Sequence, residues 1–579
     1  MVRVNDGYSN DYGSGQQWST GISFGEIDVL KFAETAEVCP ERYVWQLVNA
    51  LFNDEIEDDI SAGVPPQLRN HFLHRIKKDR LSRLWETIVR EKHGEDVEKL
   101  ALPEEVAIAY LTQHRIEDAC KTLVDSGNLH LATMVAQIGR DDVIRSNMQK
   151  QVGSWRQHNV YSEFNEPIRA LYELLAGNAL RSVGRSSGAT EDRTSTFTLS
   201  ERFELDWIQA FGLRLWYSIT EDEPLEVAVA RFLDDITTGD EPAFPFPAHL
   251  EQELAGLRQG ANSSFLESPL WVVLKVYAAT TSTNVAPDLK VNLPDAISPE
   301  AVSGSRLSSR LSFQLHQALA TIVGQNDRVG IDKSRTDQLT WSYASELVAS
   351  NAVEPALFVL LHLSRASDRE HAIKETLGQF AASLPTPLSQ DGKPDNVWNY
   401  LVQALQLPES WIWVAKGLYA RYSGDFANEV GYLIRAKNWN EAHSTFCRVV
   451  GPRTIIESDW SILSQLLNGF GESPDRKVRG WSSGGAVYED YLRLVTTQGP
   501  RDANVLKRLI ASLGHMGEKI KQTSGLEGLE ERVAFMEMSR VVAGWRARGE
   551  DVCSALLIVM NFLLTDDRVW ICLLFFGCH

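Results

Sequence analysis

Three stretches of this chain carry residue types that could do chemistry. His71 and His74, in HFLH, stand three apart on one helical face and could share a metal ion through their ring nitrogens. No cysteine or paired acid at ligand spacing accompanies them, so the expectation is one surface and one half-buried histidine. The run Asp54-Glu55-Ile56-Glu57-Asp58-Asp59 could hold a cation or a basic partner segment. It lacks the alternating oxygen ligands and the glycine of a calcium loop, and reads as a solvated loop. Arg75, Lys77, Lys78, Arg80 and Arg83 form a basic cluster that could meet nucleic-acid phosphates, yet no aromatic platform interleaves with it. The same helix carries Leu81, Leu84 and Trp85, so the cluster reads as a charged outer helix face. Trp411 and Trp413 invite ligand stacking, but aromatic residues in a helical core more often pack. There is no P-loop, no G-x-S-x-G, no H-E-x-x-H and no dinucleotide fingerprint. We therefore assign no catalytic residue, no metal ligand and no cofactor.

Composition points away from the same chemistries. With 77 acidic and 57 basic residues the formal charge is -20, which opposes direct binding of nucleic acid or of anionic lipid headgroups. A hydrophobic share of 44% beside a charged share of 23% describes a chain that mostly folds. The six cysteines, Cys39, Cys120, Cys447, Cys553, Cys572 and Cys578, have no Cys-x-x-Cys spacing, as expected of reduced thiols in a nuclear or cytosolic setting. The first 22 residues are rich in Gly, Ser, Asn, Asp and Gln and lack the apolar run of a secretory signal, so they are expected to be disordered. At the other end Val552–Leu564 and Val569–Phe576 are very apolar, but each falls short of the roughly 20 residues that span a bilayer. Thr565-Asp566-Asp567-Arg568 separates them, so no transmembrane span is expected.

What remains is scaffold, written most plainly in Arg115–Asn178. Ile116, Ala119, Cys120, Leu123 and Val124 fall at helical spacing; so do Leu131, Met134, Val135 and Ile138, and again Ile168, Leu171, Tyr172 and Leu175. Gly127 before Asn128, and Gly139 ahead of Asp141, place a left-handed stop and an oxygen acceptor between helices. Helices this short cannot bury a stripe alone and need neighbours. The punctuation predicts helices at 26–36, 41–53, 66–93, 104–125, 129–138, 142–157 and 166–176. A loop follows at Ser182–Thr198, then a buried helix at Phe203–Ile219. Further loops are expected at Glu241–Pro247, Ser282–Ser305, Ser383–Asn396 and Glu472–Gly485. Gly424–Gly451 is a second hairpin, with Phe426, Val430, Leu433 and Ile434 on one stripe and Trp439, Ala442, Phe446 and Val449 on the other, joined at Lys437-Asn438. No alternating strand series and no fixed-period repeat is evident, which predicts an all-α, irregular stack. Four Phe-Gly pairs, at Phe24, Phe211, Phe470 and Phe576, are too dispersed for a cohesive disordered barrier.

The order and spacing of FGEIDVLKFAE from Phe24, RIKKDRLSRLWE from Arg75, DACKTLVDSGNLHLATMVAQIG from Asp118, IRALYELLAGN from Ile168 and NWNEAHSTFCRVVGPRTII from Asn438 resemble a known family. It is the helical scaffold nucleoporin that forms the carboxy-terminal half of the self-cleaving nucleoporin precursor, in its fungal form. The similarity covers about residues 23–500. The resemblance implies a folded-back α-solenoid, the ancestral coatomer element, with a trunk that rises to a crown, returns, and ends in a tail. Carried onto this chain, trunk and crown span 23–400 with the crown at about 90–180, and the tail spans 401–550.

The resemblance also implies a role. The family builds the Y-shaped coat of the nuclear pore complex at the nuclear envelope, supporting transport of protein and mRNA. It pairs through the crown with a neighbouring helical nucleoporin and through trunk and tail with the other arms. In the crown the partner-binding candidates are Leu129, Met134, Val135 and Ile144. Family members carry strands ahead of the trunk that complete a small β-propeller coat protein. Here the residues before Phe24 are too few and too polar for a blade, so propeller pairing is not expected. The self-cleavage site and the repeat-rich upstream half are absent, as in a fragment, a processed product or an incomplete gene model. Within the apolar C-terminal segment 551–579, the residues from Cys553 to His579 match nothing expected of the family, as a misread coding end would. The competing reading is a vesicle-coat or tethering scaffold with the same helical element.

Overall fold

A computed structural model describes residues 39–54, 66–251, 266–281, 289–496, 503–521 and 528–547, apart from 96, 98–99, 140, 187–192, 221, 306, 325 and 389–391. The helix predicted at 26–36, the acidic residues 55–59, the side chain of His71, Phe24 and Phe576, and the segment 551–579 lie outside what is described. The chain is all-α, built as two compact units, 1–366 and 367–579. The division precedes residue 401, where the resemblance starts the tail.

In the first unit α1 (Cys39–Phe52), α2 (Pro66–His93) and α3 (Pro103–Thr112) lead away, and α4 (Ile116–Asp125), α5 (Leu129–Val135), α6 (Asp142–Gln157) and α7 (Glu166–Leu175) follow in short turns. The chain then comes back. The helix α7 packs on α3, α8 (Trp207–Leu213) on α2 and α3, and α10 (Pro269–Thr281) on α1, with α9 (Leu225–Thr237) between α8 and α10 in sequence. Hydrogen bonds stitch outbound to returning chain, among them Trp85 Nε1 to Ile208 O at 2.8 Å, Trp216 Nε1 to Ser82 Oγ at 2.9 Å, and Tyr217 OH to Leu111 O at 3.0 Å. Around them Trp85, Trp207, Phe211, Phe232 and Trp271 meet edge to face. Each such pair contributes about 0.5–1.5 kcal/mol beyond the area it buries. The helices α11 (Arg310–Val323), α12 (Lys333–Ala349) and α13 (Val353–Leu360) complete the unit.

Several predicted boundaries move for identifiable reasons. The run 104–125 is two helices, because His114 turns left-handed at φ 57° and lays its ring on Trp216, centroids 4.8 Å apart. The run from Phe203 starts late. Glu204 is left-handed, and Asp206 then caps α8 by accepting from Gln209 N, while the Gln209 side chain accepts from Asp206 N. After Leu213 this helix widens into a π-turn, Arg214–Ser218. The loop at Ser182–Thr198 is closed by an antiparallel two-residue ribbon, β1 (Arg181–Ser182) with β2 (Phe197–Thr198). Within Ser282–Ser305, β3 (Val291–Asn292) pairs in parallel with β4 (Val329–Gly330), and two one-turn helices start at Leu293 and Pro299. Their prolines occupy first-turn positions, where a missing N–H costs nothing.

The second unit begins at α14 (Ala366–Gln379) and runs through α15 (Glu409–Tyr422), α16 (Phe426–Arg435), α17 (Trp439–Thr445), α18 (Gly451–Glu457), α19 (Trp460–Gly469), α20 (Gly485–Thr496), α21 (Ala503–Lys521) and α22 (Leu529–Ala547). The predicted hairpin is present, turning at Lys437 with φ 61°. Val430, Leu433 and Ile434 are buried as expected, and so are Ala442 and Phe446. Val450 takes the core position predicted for Val449. Between α17 and α18 the chain makes a π-turn, Phe446–Val450, which inserts one residue into the helical count. Pro452 lies just beyond it, lacking an N–H and crowding the carbonyl four residues back.

Candidate interaction surface

The groups singled out for chemistry turn out to be tied inward. Among the described residues no cluster of His, Cys, Asp and Glu could hold a metal. His74 is exposed. Asp54 accepts a 2.6 Å ion pair from Lys77, itself buried with its ammonium 5.7 Å from the Tyr277 ring centre. Lys78 donates to Thr220 O, Arg80 to Asn53 O at 3.0 Å, and Arg83 pairs with Asp79. The basic cluster is therefore not simply a charged outer face: several of its members hold α2 to its neighbours. Trp413 is buried against Trp398 and Tyr432, with Arg435 over its ring, and half-buried Trp411 lies under Lys374. Phe211 and Phe470 are fully buried in the two cores.

The densest polar groups escaped the sequence reading, because their partners lie far apart in the chain. Asp206 Oδ2 stands 2.8 Å from both His93 Nε2 and Lys92 Nζ, and Lys92 also reaches Glu251 at 2.5 Å. Burial works to raise the Asp206 carboxyl, but the neighbouring His93 and Lys92 prevail and hold it at about 2. Arg214, 2% exposed, donates to Asp235 Oδ2 at 2.8 Å, to Glu241 Oε2 at 2.7 Å and to Ala210 O at 2.9 Å, with its guanidinium 4.9 Å above the Phe232 ring. Arg169 bonds Ser182 Oγ and Ser195 O and so fastens the β1–β2 ribbon. Its neighbour Glu173 accepts from Tyr161, Arg156 and Asn178. The Asp206-x-x-Gln209 capping box was the only local signal for any of these. All of them clamp elements together.

The surface itself is where function can lie. Leu129, at the start of α5, is 62% exposed. Met134 and Ile144 are half-buried. Val135 is fully buried against the internal core and offers no surface, which corrects its inclusion among the candidates. The reason is the α5 stripe: with Leu131, Ala132 and Val135 turned inward, Leu129 is left outside. Exposed Val143, beside Asp141 whose carboxylate caps α6 by accepting from Val143 N at 2.8 Å, was missed, as was Val124 on α4. Asn128 does not cap α5 with its side chain and instead donates to Glu104 at 3.0 Å. In the second unit Leu418, Tyr419 and Tyr422 stand exposed on the last turns of α15. No described helix is long and apolar enough to cross a membrane.

The comparisons with known proteins agree with this scaffold geometry. A family model described as Nuclear protein 96 matches residues 105–419. Nucleoporin NUP145 of Chaetomium thermophilum is 30% identical over 511 residues, 86% of this chain and 24% of that protein. Nucleoporin nup189 of Schizosaccharomyces pombe is 28% identical over 516 residues, 87% of this chain and 26% of its own length. Nuclear pore complex protein NUP96 of Arabidopsis thaliana is 22% identical over 572 residues, 93% of this chain and 50% of that protein. The chain thus spans about a quarter of the two fungal relatives and half of the plant one. With more than half of its length inside the family model, this chain belongs to the Nuclear protein 96 family.

Proposed function

We propose that this chain is a structural component of the outer coat of the nuclear pore complex at the nuclear envelope, supporting pore assembly and thereby transport of protein and mRNA. The carrying observation is the match to the Nuclear protein 96 family across helices that stack, return and spend their buried charges on one another. In this reading residues 23–400 form trunk and crown, with the crown at about 90–180, and residues 401–550 form the tail. The outbound and returning helices of the first unit support that path. The protein carries out no reaction of its own; it holds partner surfaces apart at fixed geometry. Its partners are the other nucleoporins of the Y-shaped coat, one of them a helical neighbour at the crown, with no direct contact to nucleic acid. The crown offers Leu129, Met134 and Ile144, joined by Val143, as a discontinuous apolar surface with a polar rim that a partner helix completes.

The test is affinity isolation of the tagged chain from cells, beside localisation of a fluorescent fusion. Co-purification of nucleoporins and a nuclear-envelope rim are expected; vesicle or exit-site puncta with vesicle-coat subunits would overturn the reading. Leu129→Asp with Val143→Asp should lower crown-partner recovery at least tenfold, a loss of about 1.4 kcal/mol, while leaving the melting profile in place.

A further inference from the structure

Ser-Pro and Thr-Pro steps stand in the chain at Ser268, Ser298, Thr386 and Ser473, and the fold treats them differently. Ser268 is buried ahead of α10. Ser298 is half-buried, with apolar Ala301 three residues on. Thr386 is half-buried too, and its hydroxyl donates to Leu388 O at 2.7 Å. Ser473 is exposed. It holds the cap position of the one-turn helix Pro474–Lys477 without bonding that turn through its side chain, so its hydroxyl is not committed to the cap.

The loop around Ser473 presents it outward. Phe470 and Val478 are buried in the second core and anchor the two ends, while Glu472, Asp475, Arg476 and Lys477 between them are exposed. A helix of one turn has little stability of its own, so a binding groove can draw it out straight at small cost. Ser473-Pro474-Asp475-Arg476-Lys477 then sets a rigid ring one place after the hydroxyl and cations three and four places after it. Pro474 brings no N–H and a fixed φ, which suits an apolar socket that asks for no hydrogen bond there. The cations suit a carboxylate farther along the groove. Together these are the features that a proline-directed serine/threonine kinase reads. Lys477 meanwhile rests with its ammonium 4.8 Å from the Trp439 ring centre and donates to Phe470 O at 3.5 Å, which ties the loop to α17 and to the end of α19.

We propose that Ser473 is a phosphoacceptor for such a kinase, and that the phosphate draws Lys477 off Trp439. In the transfer Ser473 Oγ bonds the γ-phosphorus of ATP, its proton passes to a carboxylate of the kinase, and the bond from that phosphorus to the ADP oxygen breaks. The product carries about two negative charges, set three and four residues ahead of Arg476 and Lys477, a spacing at which such pairs meet. The test incubates the folded full chain with a purified proline-directed kinase and ATP and maps the phosphate by mass spectrometry. Ser473 should carry it and Ser473→Ala should lose it. Arg476→Ala, with an unchanged melting profile, should lower kcat/KM about tenfold. In the phosphorylated chain amide exchange at the start of α17 should rise about threefold, and in Lys477→Met it should not respond to phosphate. Phosphate at Ser268, Ser298 or Thr386 but not at Ser473, or at Ser473 only after denaturation, would overturn the proposal. So would an Arg476→Ala chain modified as fast as the parent. Exchange in α17 that ignores the phosphate would overturn the part given to Lys477.

Discussion

At the scale of single residues, the buried charges decide what the fold tolerates. Arg214 is enclosed with Asp235 and with Glu241, whose carboxylate is fully buried. Replacing it by Leu leaves Glu241 without its cation, a situation that costs about 3–5 kcal/mol. Urea denaturation should show a loss of that size for Arg214→Leu and a partial recovery on adding Glu241→Gln. Histidines behave differently. His316, buried beside Thr336 with Nε2–Oγ1 at 3.2 Å, has its pKa lowered by burial to about 4, and burial also lowers that of His362. A base whose folded pKa lies below its unfolded 6.5 binds fewer protons folded than unfolded in that interval. Its stabilising share is therefore whole above pH 6.5 and is lost as pH falls toward 4, by about 3 kcal/mol for His316. Stability measured across that range should flatten in His316→Gln. None of these residues announced itself in the sequence, because Arg214 and Glu241, or His316 and Thr336, are joined only by the fold.

At the scale of elements, the sequence was legible wherever a helix end is written locally. The bounds 66–93 and 142–157 agree with α2 and α6 residue for residue. Gly127 and Gly139 both turn left-handed where a stop was predicted, at φ 85° and 75°. Boundaries failed where a distant contact sets them, as at His114, which stacks on Trp216 from the returning chain. One surface candidate, Val135, falls in the core for the related reason that a stripe has two edges, and periodicity alone does not say which lies inside. Val135 went in and Val124 stayed out. The two glycines give a test at this scale. Alanine at Gly127 meets no atom within 4 Å, so Gly127→Ala should cost only the left-handed strain, about 1 kcal/mol. At Gly139 the new Cβ would sit 2.9 Å from Trp216 O, so Gly139→Ala should cost clearly more in the same denaturation assay.

At the scale of the molecule, the two units carry separate hydrophobic cores, one spanning Tyr43 to Val329 and the other Val430 to Val542. Calorimetry should therefore resolve more than one unfolding transition. Val430→Ala, a truncation in the second core, should shift only one of them. The π-turns at Arg214–Ser218, Tyr400–Ala404 and Phe446–Val450 explain why no fixed repeat length could be read, since each adds a residue to the helical count. At Phe446–Val450 the extra residue acts as a phase shifter: the side chains after it are rotated by about 100° relative to an uninterrupted helix. Deleting one residue there would leave Trp439, Ala442 and Phe446 seated and turn Ile455 out of the core. The stack thus holds an extra residue in mid-helix while Phe446, which opens the π-turn, and Ile455, beyond it, both face the core.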